Sequence, residues 1–349
     1  MSKKFFKLNN TTKTLGKIFP ALLICTPAVA FSAIIDQSTS VPQDFSADAE
    51  YVINKDVTIS SEDSEAAVSI TGSTTTNATN YGNISGVRNG LDINTGVQRI
   101  VINNDLGATI SSTTANAVNI QSVFGDFNNS GNITGSENGI FVSENSSAVS
   151  IINTSTGTIK GKTGLSTHVG IGINNSGEII GTNGDAITAD YGNTKISNSG
   201  NVQGTQYGIS AKDTAKLDIK NSGTISGETN AIMFASDKNN TLMLDTGSTL
   251  IGDVISTNSK GNTLTLIGTG TEDSNFIGLN EGDGFASVTM NGESWALSGD
   301  IDIIGSGDSL LVETGALTLA GDVSNTGNTR VAKDASLQLG DGEKTATLS

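Results

Sequence analysis

The sequence predicts an all-β fold, a right-handed parallel β-helix in which each coil of about 23 residues carries three short strands. Three observations carry that expectation. First, the phrase Asn-Ser-Gly-x-(Ile/Val)-x-Gly recurs at 129–135, 175–181, 198–204 and 221–227, with looser copies at 80–86, 104–111, 155–161 and 245–252. The first glycines of these copies, Gly82, Gly107, Gly131, Gly157, Gly177, Gly200, Gly223 and Gly247, lie 20 to 26 residues apart. Second, between the copies apolar and polar residues alternate in short runs, the two-residue period of a strand with one buried face. Third, 42 glycines stand against one Trp, four Tyr and one His, too few large side chains to anchor a compact globule.

The first thirty residues differ in kind. Lys3, Lys4, Lys7, Lys13 and Lys17 precede an apolar stretch from Ile18 to Ala30 that closes on Ala28-Val29-Ala30, the pattern of a secretory signal peptide cleaved after Ala30. Pro20 and Pro27 and the shortness of the run argue against a membrane-spanning anchor. The single cysteine, Cys25, lies within that signal and follows Ile24, which does not suit a lipoprotein. The mature chain is therefore expected to hold no disulfide and to rely on backbone pairing and packing. Without the five signal lysines it carries 14 basic and 35 acidic residues, a net charge of −21. Such a surface repels nucleic acid and anionic headgroups, so nucleic acid is not an expected partner.

Residues 31–50 read as a leader and cap, 51–252 as regular coils and 253–349 as a continuation of the same solenoid with less regular coils. The unit from Asn198 places one strand on Val202, a second on Ile209 and Ala211, and a third on Leu217 and Ile219. The following unit repeats this with Ile225, then Ala231, Ile232 and Phe234, then Leu242 and Leu244. Stacking puts like over like, so Ile, Val and Leu form internal ladders. In the phrase itself glycine is expected to supply positive φ, and asparagine to bond the backbone or a stacked asparagine, which makes the phrase a turn and not a binding signature. Leucine-rich repeats would need more leucines per copy, and calcium-binding nonapeptide coils would need tandem glycine-aspartate runs. Asn183-Gly184-Asp185 alone is faintly similar to the latter. About 300 residues at this period make some 13 coils, roughly 60 Å of rod.

Near the end, Gly315-Ala316-Leu317-Thr318-Leu319-Ala320-Gly321, Asn328-Thr329-Arg330-Val331 and Ala335-Ser336-Leu337-Gln338-Leu339-Gly340 resemble the passenger-associated strand repeat of bacterial autotransporters. Ala335 departs from the usual glycine. Leu264 to Gly270, Met290-Asn291-Gly292 and Trp295-Ala296-Leu297-Ser298-Gly299 are similar to passenger sequence too. The resemblance implies type V secretion: export through the periplasm, a β-helical passenger at the cell surface or released, and a C-terminal outer-membrane β-barrel translocator. No barrel-like segments precede Ser349 and the chain stops in repeat-like sequence at 346–349, so a truncated passenger is expected. By analogy with surface adhesins the implied function is non-enzymatic adhesion or cell aggregation, with a host surface, a glycan or a second copy as ligand. The alternative is a glycan-acting or glycan-binding β-helix protein.

No catalytic, cofactor-binding or metal-ligating residue is assigned. Gly307-Asp308-Ser309-Leu310 spells an esterase nucleophile motif, but its base would have to be His168, the only histidine, which lies N-terminal to the serine instead of near the C-terminus. One histidine without mature cysteine does not supply a usual zinc set, and His168 reads as a coil-rim residue. Polysaccharide-cleaving β-helices use aspartate clusters with an arginine or lysine base, whereas Arg88, Arg99 and Arg330 are scattered. Glu62-Asp63 and Glu272-Asp273 read as solvated turns, with a calcium ion at one of them as the other reading.

Overall fold

The computed structural model describes residues 31–340 apart from 47–48, 73–74, 98, 122–123, 258–260 and 281. The signal segment 1–30, with Cys25, and the closing residues 346–349 lie outside the described residues. Among the described residues all 36 regular elements are strands, and every strand pair is parallel. They stack as a solenoid of twelve complete three-strand coils, from the one opening at Ala49–Ile53 to the one opening at Asp308–Leu319. The expected leader carries strands as well: Phe31–Ile35 lies beside Ala49–Ile53, and Gln43–Phe45 beside Val68–Ile70.

Three backbone ladders run along the solenoid. In one coil, Asn193–Asn198 belongs to ladder A, Asn201–Gly204 to ladder B and Tyr207–Ala211 to ladder C, and each pairs with its counterpart one coil later. Farther on the corners between ladders straighten: Thr224–Phe234 spans B and C without a break, while Ser287–Leu297 and Asp308–Leu319 each run from A into the strands that follow. The autotransporter-like repeat occupies two adjoining coils, with Ala316–Leu319 paired to Ser336–Leu339.

The interior consists of stacked aliphatic side chains. Along ladder B, Ile84, Ile110, Ile133, Ile159, Ile179, Val202 and Ile225 follow one another in register, each at most 3% exposed. Each such residue contributes about 1.5–3 kcal/mol by leaving water. The apolar positions expected from the Asn198 and Asn221 units are all buried. Among the described buried polar side chains one is left without a partner. Thr194 is fully buried, sits in register with Leu217, and its hydroxyl has no hydrogen-bond partner. Thr194→Val, which keeps the shape and removes the unpaired hydroxyl, is expected to stabilise the protein by about 1–2 kcal/mol, read as a higher midpoint in urea unfolding.

The repeated phrase builds the corner between ladders A and B, and its asparagine does more than turn the chain. Asn80, Asn104, Asn129, Asn153, Asn175, Asn198 and Asn221 end successive ladder A strands, all buried. From Asn80 to Asn198 each carboxamide Nδ2 donates to the Oδ1 of the next asparagine at 2.8–2.9 Å. Nδ2 also meets backbone carbonyls; that of Asn153, for example, lies 3.1 Å from both Gly157 O and Glu178 O. The backbone groups that the corner strips of ladder partners are thus satisfied from inside.

The glycine of the phrase departs from expectation. Gly131, Gly177, Gly200 and Gly223 do not adopt positive φ, which in the looser copies Gly107 and Gly247 do, at 81° and 90°. A Cβ on Gly177, Gly200 or Gly223 would instead collide with the backbone carbonyl of the preceding coil. Glycine is required there because two backbones approach closely, not because the dihedral demands it.

Candidate functional site

Outward side chains on ladders A and B are largely polar, and on ladder A too they bond from coil to coil, as Asn128 does to Asn103. Ladder B carries hydroxyl and amide groups over its first coils. Thr58, Asn83, Thr109, Asn132 and Thr158 form one outward file, and Ser60, Ser85, Ser111 and Thr134 the file beside it. All are half-buried or exposed, and the rungs are about 4.8 Å apart. Neighbouring coils hold each other's side chains in place: Thr109 Oγ1 donates to Asn83 Oδ1 at 2.7 Å, and Asn83 Nδ2 to Thr58 Oγ1 at 3.4 Å. Thr58, Asn83 and Thr109 are thus held in place before any ligand arrives.

The rim after ladder C carries the charged and aromatic cluster. His168 follows the strand Thr163–Thr167. Its Nε2 lies 2.9 Å from Asp190 Oδ2 and its Nδ1 3.6 Å from Glu144 Oε2. The Phe141 ring stands edge-on to it at 4.9 Å, and the Tyr191 ring at 6.5 Å. Burial raises the Asp190 pKa above the ordinary carboxylate value, and the His168 side chain beside it works in the opposite direction. Asp213 raises that of the Tyr191 hydroxyl. Asp185, from the segment faintly similar to a calcium coil, is buried and spoken for. It accepts from Thr188 Oγ1 at 2.9 Å and Ser210 Oγ at 2.6 Å, and Lys212 Nζ stands at 3.4 Å. No group of three or more His, Cys, Asp or Glu with metal-binding geometry occurs among the described residues.

The structure does not bring the esterase-like residues together. Ser309 is buried and its Oγ donates to Asn325 Oδ1 at 2.7 Å. His168 sits seven coils earlier, roughly 34 Å along the axis. Arg88, Arg99 and Arg330 are exposed on separate coils. Glu62 and Asp63 are exposed, in keeping with a solvated turn. Glu272 is not. Asp273 beside it points outward, but Glu272 ends the strand Thr269–Glu272 with its side chain inward, 4% exposed. The strand alternation that separates the two residues puts one of the carboxylates inside.

No protein-family model, curated protein or solved structure matches this chain. The surface chemistry is accordingly read from its residues. Among the described residues no helix is long and apolar enough to cross a membrane.

The charge is distributed unevenly along the solenoid. Residues 160–238 hold seven basic and seven acidic side chains, whereas 31–159 hold three and 13, and 239–349 hold four and 15. Four of the lysines in this neutral belt pair across coils or along a strand, among them Lys216 with Asp218 at 2.9 Å and Lys220 with Asp245 at 3.0 Å. The exposed pairs among these add little stability, whereas Lys212 meets the buried Asp185. Their consequence is local neutrality, which the net charge of the whole chain conceals and which counting charges in windows would have found. Within the belt ladder B turns Lys160, Glu178, Ile180, Asn201 and Gln203 outward before Thr224 and Ser226 resume the hydroxyl pattern.

Proposed function

We propose that the chain is a surface-displayed or secreted passenger of a Gram-negative autotransporter, a non-enzymatic rod that acts in adhesion or cell aggregation. One observation supports this reading above the others: from Thr58 to Thr158 ladder B presents an outward face of threonine, serine and asparagine in which side chains bond from coil to coil. Such a face offers alternating donors and acceptors to a hydroxyl-rich partner, a glycan or a host surface, and loses little entropy on binding because neighbouring coils already hold its side chains. Many weak contacts repeated at a fixed spacing add up through multivalency, so no single deep pocket is required.

The test is display of the passenger on cells, with the translocator barrel alone as control. Adhesion to glycan-coated surfaces or cell settling is expected with the passenger. It should fall at least ten-fold when Thr109, Thr158 and Thr224 are together changed to lysine, with the unfolding midpoint within about 0.5 kcal/mol of the parent. Equal binding by the barrel alone would remove the adhesive reading. Turnover of a polysaccharide that disappears on changing one aspartate would remove the non-enzymatic one.

A further inference from the structure

Ladder B, the face just described, is interrupted at one place. Up to Thr249–Ser256 its strands pair coil to coil, but Thr269–Glu272, next in line, pairs only forward, with Ser294–Leu297. Ladders A and C continue past the same point, through Thr241–Leu244 beside Thr263–Leu266 and Val254–Ser256 beside Phe276–Gly278. Side chains bridge the gap. The Leu250 N–H donates to Glu272 Oε2 at 3.0 Å, and Ser274 Oγ donates to the Leu250 carbonyl at 3.1 Å.

The same carboxylate terminates the asparagine chain. Asn221 Nδ2 donates to Ser248 Oγ at 2.8 Å, and Ser248 Oγ donates to Glu272 Oε1 at 3.2 Å. All the amides upstream donate in the same direction, toward this end. In the following coil the register partner of Glu272 is Leu297, fully buried. Glu272 therefore stands where a polar interior chain meets an apolar one, at the seam that interrupts ladder B among the described residues.

We propose that Glu272 makes this seam a pH-responsive joint between the asparagine-laddered coils and the C-terminal coils, closed when its carboxyl is protonated and loosened when it is ionised. The strands on either side, Thr249–Ser256 and Ser287–Leu297, carry two acids, Asp253 and Glu293, and no base. Among the described residues Asp273 is the charged neighbour that acts on the carboxyl, and it disfavours ionisation. Protonation allows the carboxyl to donate to Ser248 while still accepting from Leu250, whereas ionisation leaves a buried charge with two donors.

Burial pushes the Glu272 pKa up from 4.5 to about 7, against the opposing hydrogen bonds from Leu250 and Ser248. The folded value lies above the open-state value, so the stabilisation is complete below about pH 4.5 and is lost as pH rises through about 7. Hydrogen–deuterium exchange of the full chain, corrected for intrinsic rates, tests this at the amides of 249–252 and 269–274. Between pH 5.5 and 8.5 the opening constant there is expected to rise about thirty-fold, the ratio for a carboxyl titrating near 7 closed and near 4.5 open. Glu272→Gln should abolish the rise, and Glu178→Gln, an exposed change on the same ladder, should keep it. A pH-independent opening in the parent, or the same rise in Glu272→Gln, would overturn the proposal. If Glu272→Gln does not fold, the parent's infrared spectrum decides. A protonated-carboxyl band at pH 6 that vanishes by pH 8.5 supports the joint, and its absence at pH 6 overturns it.

Discussion

Asn175→Ala should destabilise the protein by about 2–4 kcal/mol, while Asn174→Ala, the adjacent residue of the same type, should change stability by less than about 0.5 kcal/mol. The two side chains leave one strand in opposite directions, Asn174 to solvent and Asn175 into the interior. Removing the Asn175 carboxamide takes a donor from Asn198 Oδ1, Gly177 O and Asn201 O, which it meets at 2.8, 3.2 and 3.2 Å, and an acceptor from Asn153. The orphaned groups are buried, so each keeps the cost of its lost hydration. Asn175→Asp should be worse, about 4 kcal/mol or more at neutral pH. Its carboxylate would still accept from Asn153 but would face three oxygens that offer no proton. Burial among acceptors raises its folded pKa, so the deficit of this variant shrinks as pH is lowered through that value. Urea unfolding at pH 5 and pH 8 checks both the ranking and the sign.

Gly200→Ala should cost about 3 kcal/mol or more, whereas Gly107→Ala should cost about 1 kcal/mol, although only Gly107 has a left-handed backbone. At Gly200 an added Cβ runs into the backbone of the preceding coil, at Gly177 O and Ser176 O, and neither atom can move without opening the coil stack. At Gly107 nothing lies within 4 Å of the added carbon, so the cost is that of the φ of 81° alone. Urea midpoints of the two variants decide between close approach and dihedral as the reason for glycine in the phrase. Equal costs, or a larger cost at Gly107, would restore the dihedral explanation.

The solenoid was legible because its signals repeat. Val202, Ile209, Leu217 and Ile225 fall on the interior because each sits at the same place in a recurring unit, and one correct assignment carries over to the next coil. The stacked asparagines were legible as a type of contact, since a carboxamide both donates and accepts and like sits over like. The role of the phrase's glycines was not. A sequence shows that glycine is tolerated, but Gly131 and Gly107 look alike until the neighbouring coil is in place. Glu272 escaped for a related reason. Glu272-Asp273 resembles Glu62-Asp63 as a pair of acids, yet the first pair begins inside a strand whose alternation sends one member inward, and the second lies in a bend. The surface was the least legible part. The outward residues of ladder B occupy the two x positions of the phrase, which its pattern leaves open, and the neutral belt of 160–238 emerges only when charge is counted along the axis.

The central claim is that the recurring asparagine is an interior scaffold, one carboxamide per coil joined from Asn80 to Asn221. Nitrogen-15 NMR of the side-chain carboxamides, with exchange into deuterated water, measures this most directly. Seven asparagine NH2 groups, those of Asn80, Asn104, Asn129, Asn153, Asn175, Asn198 and Asn221, are expected to remain protonated for hours while Asn174 and Asn132 exchange at once. Rapid exchange of the seven, at the rate of the exposed asparagines, would contradict the account.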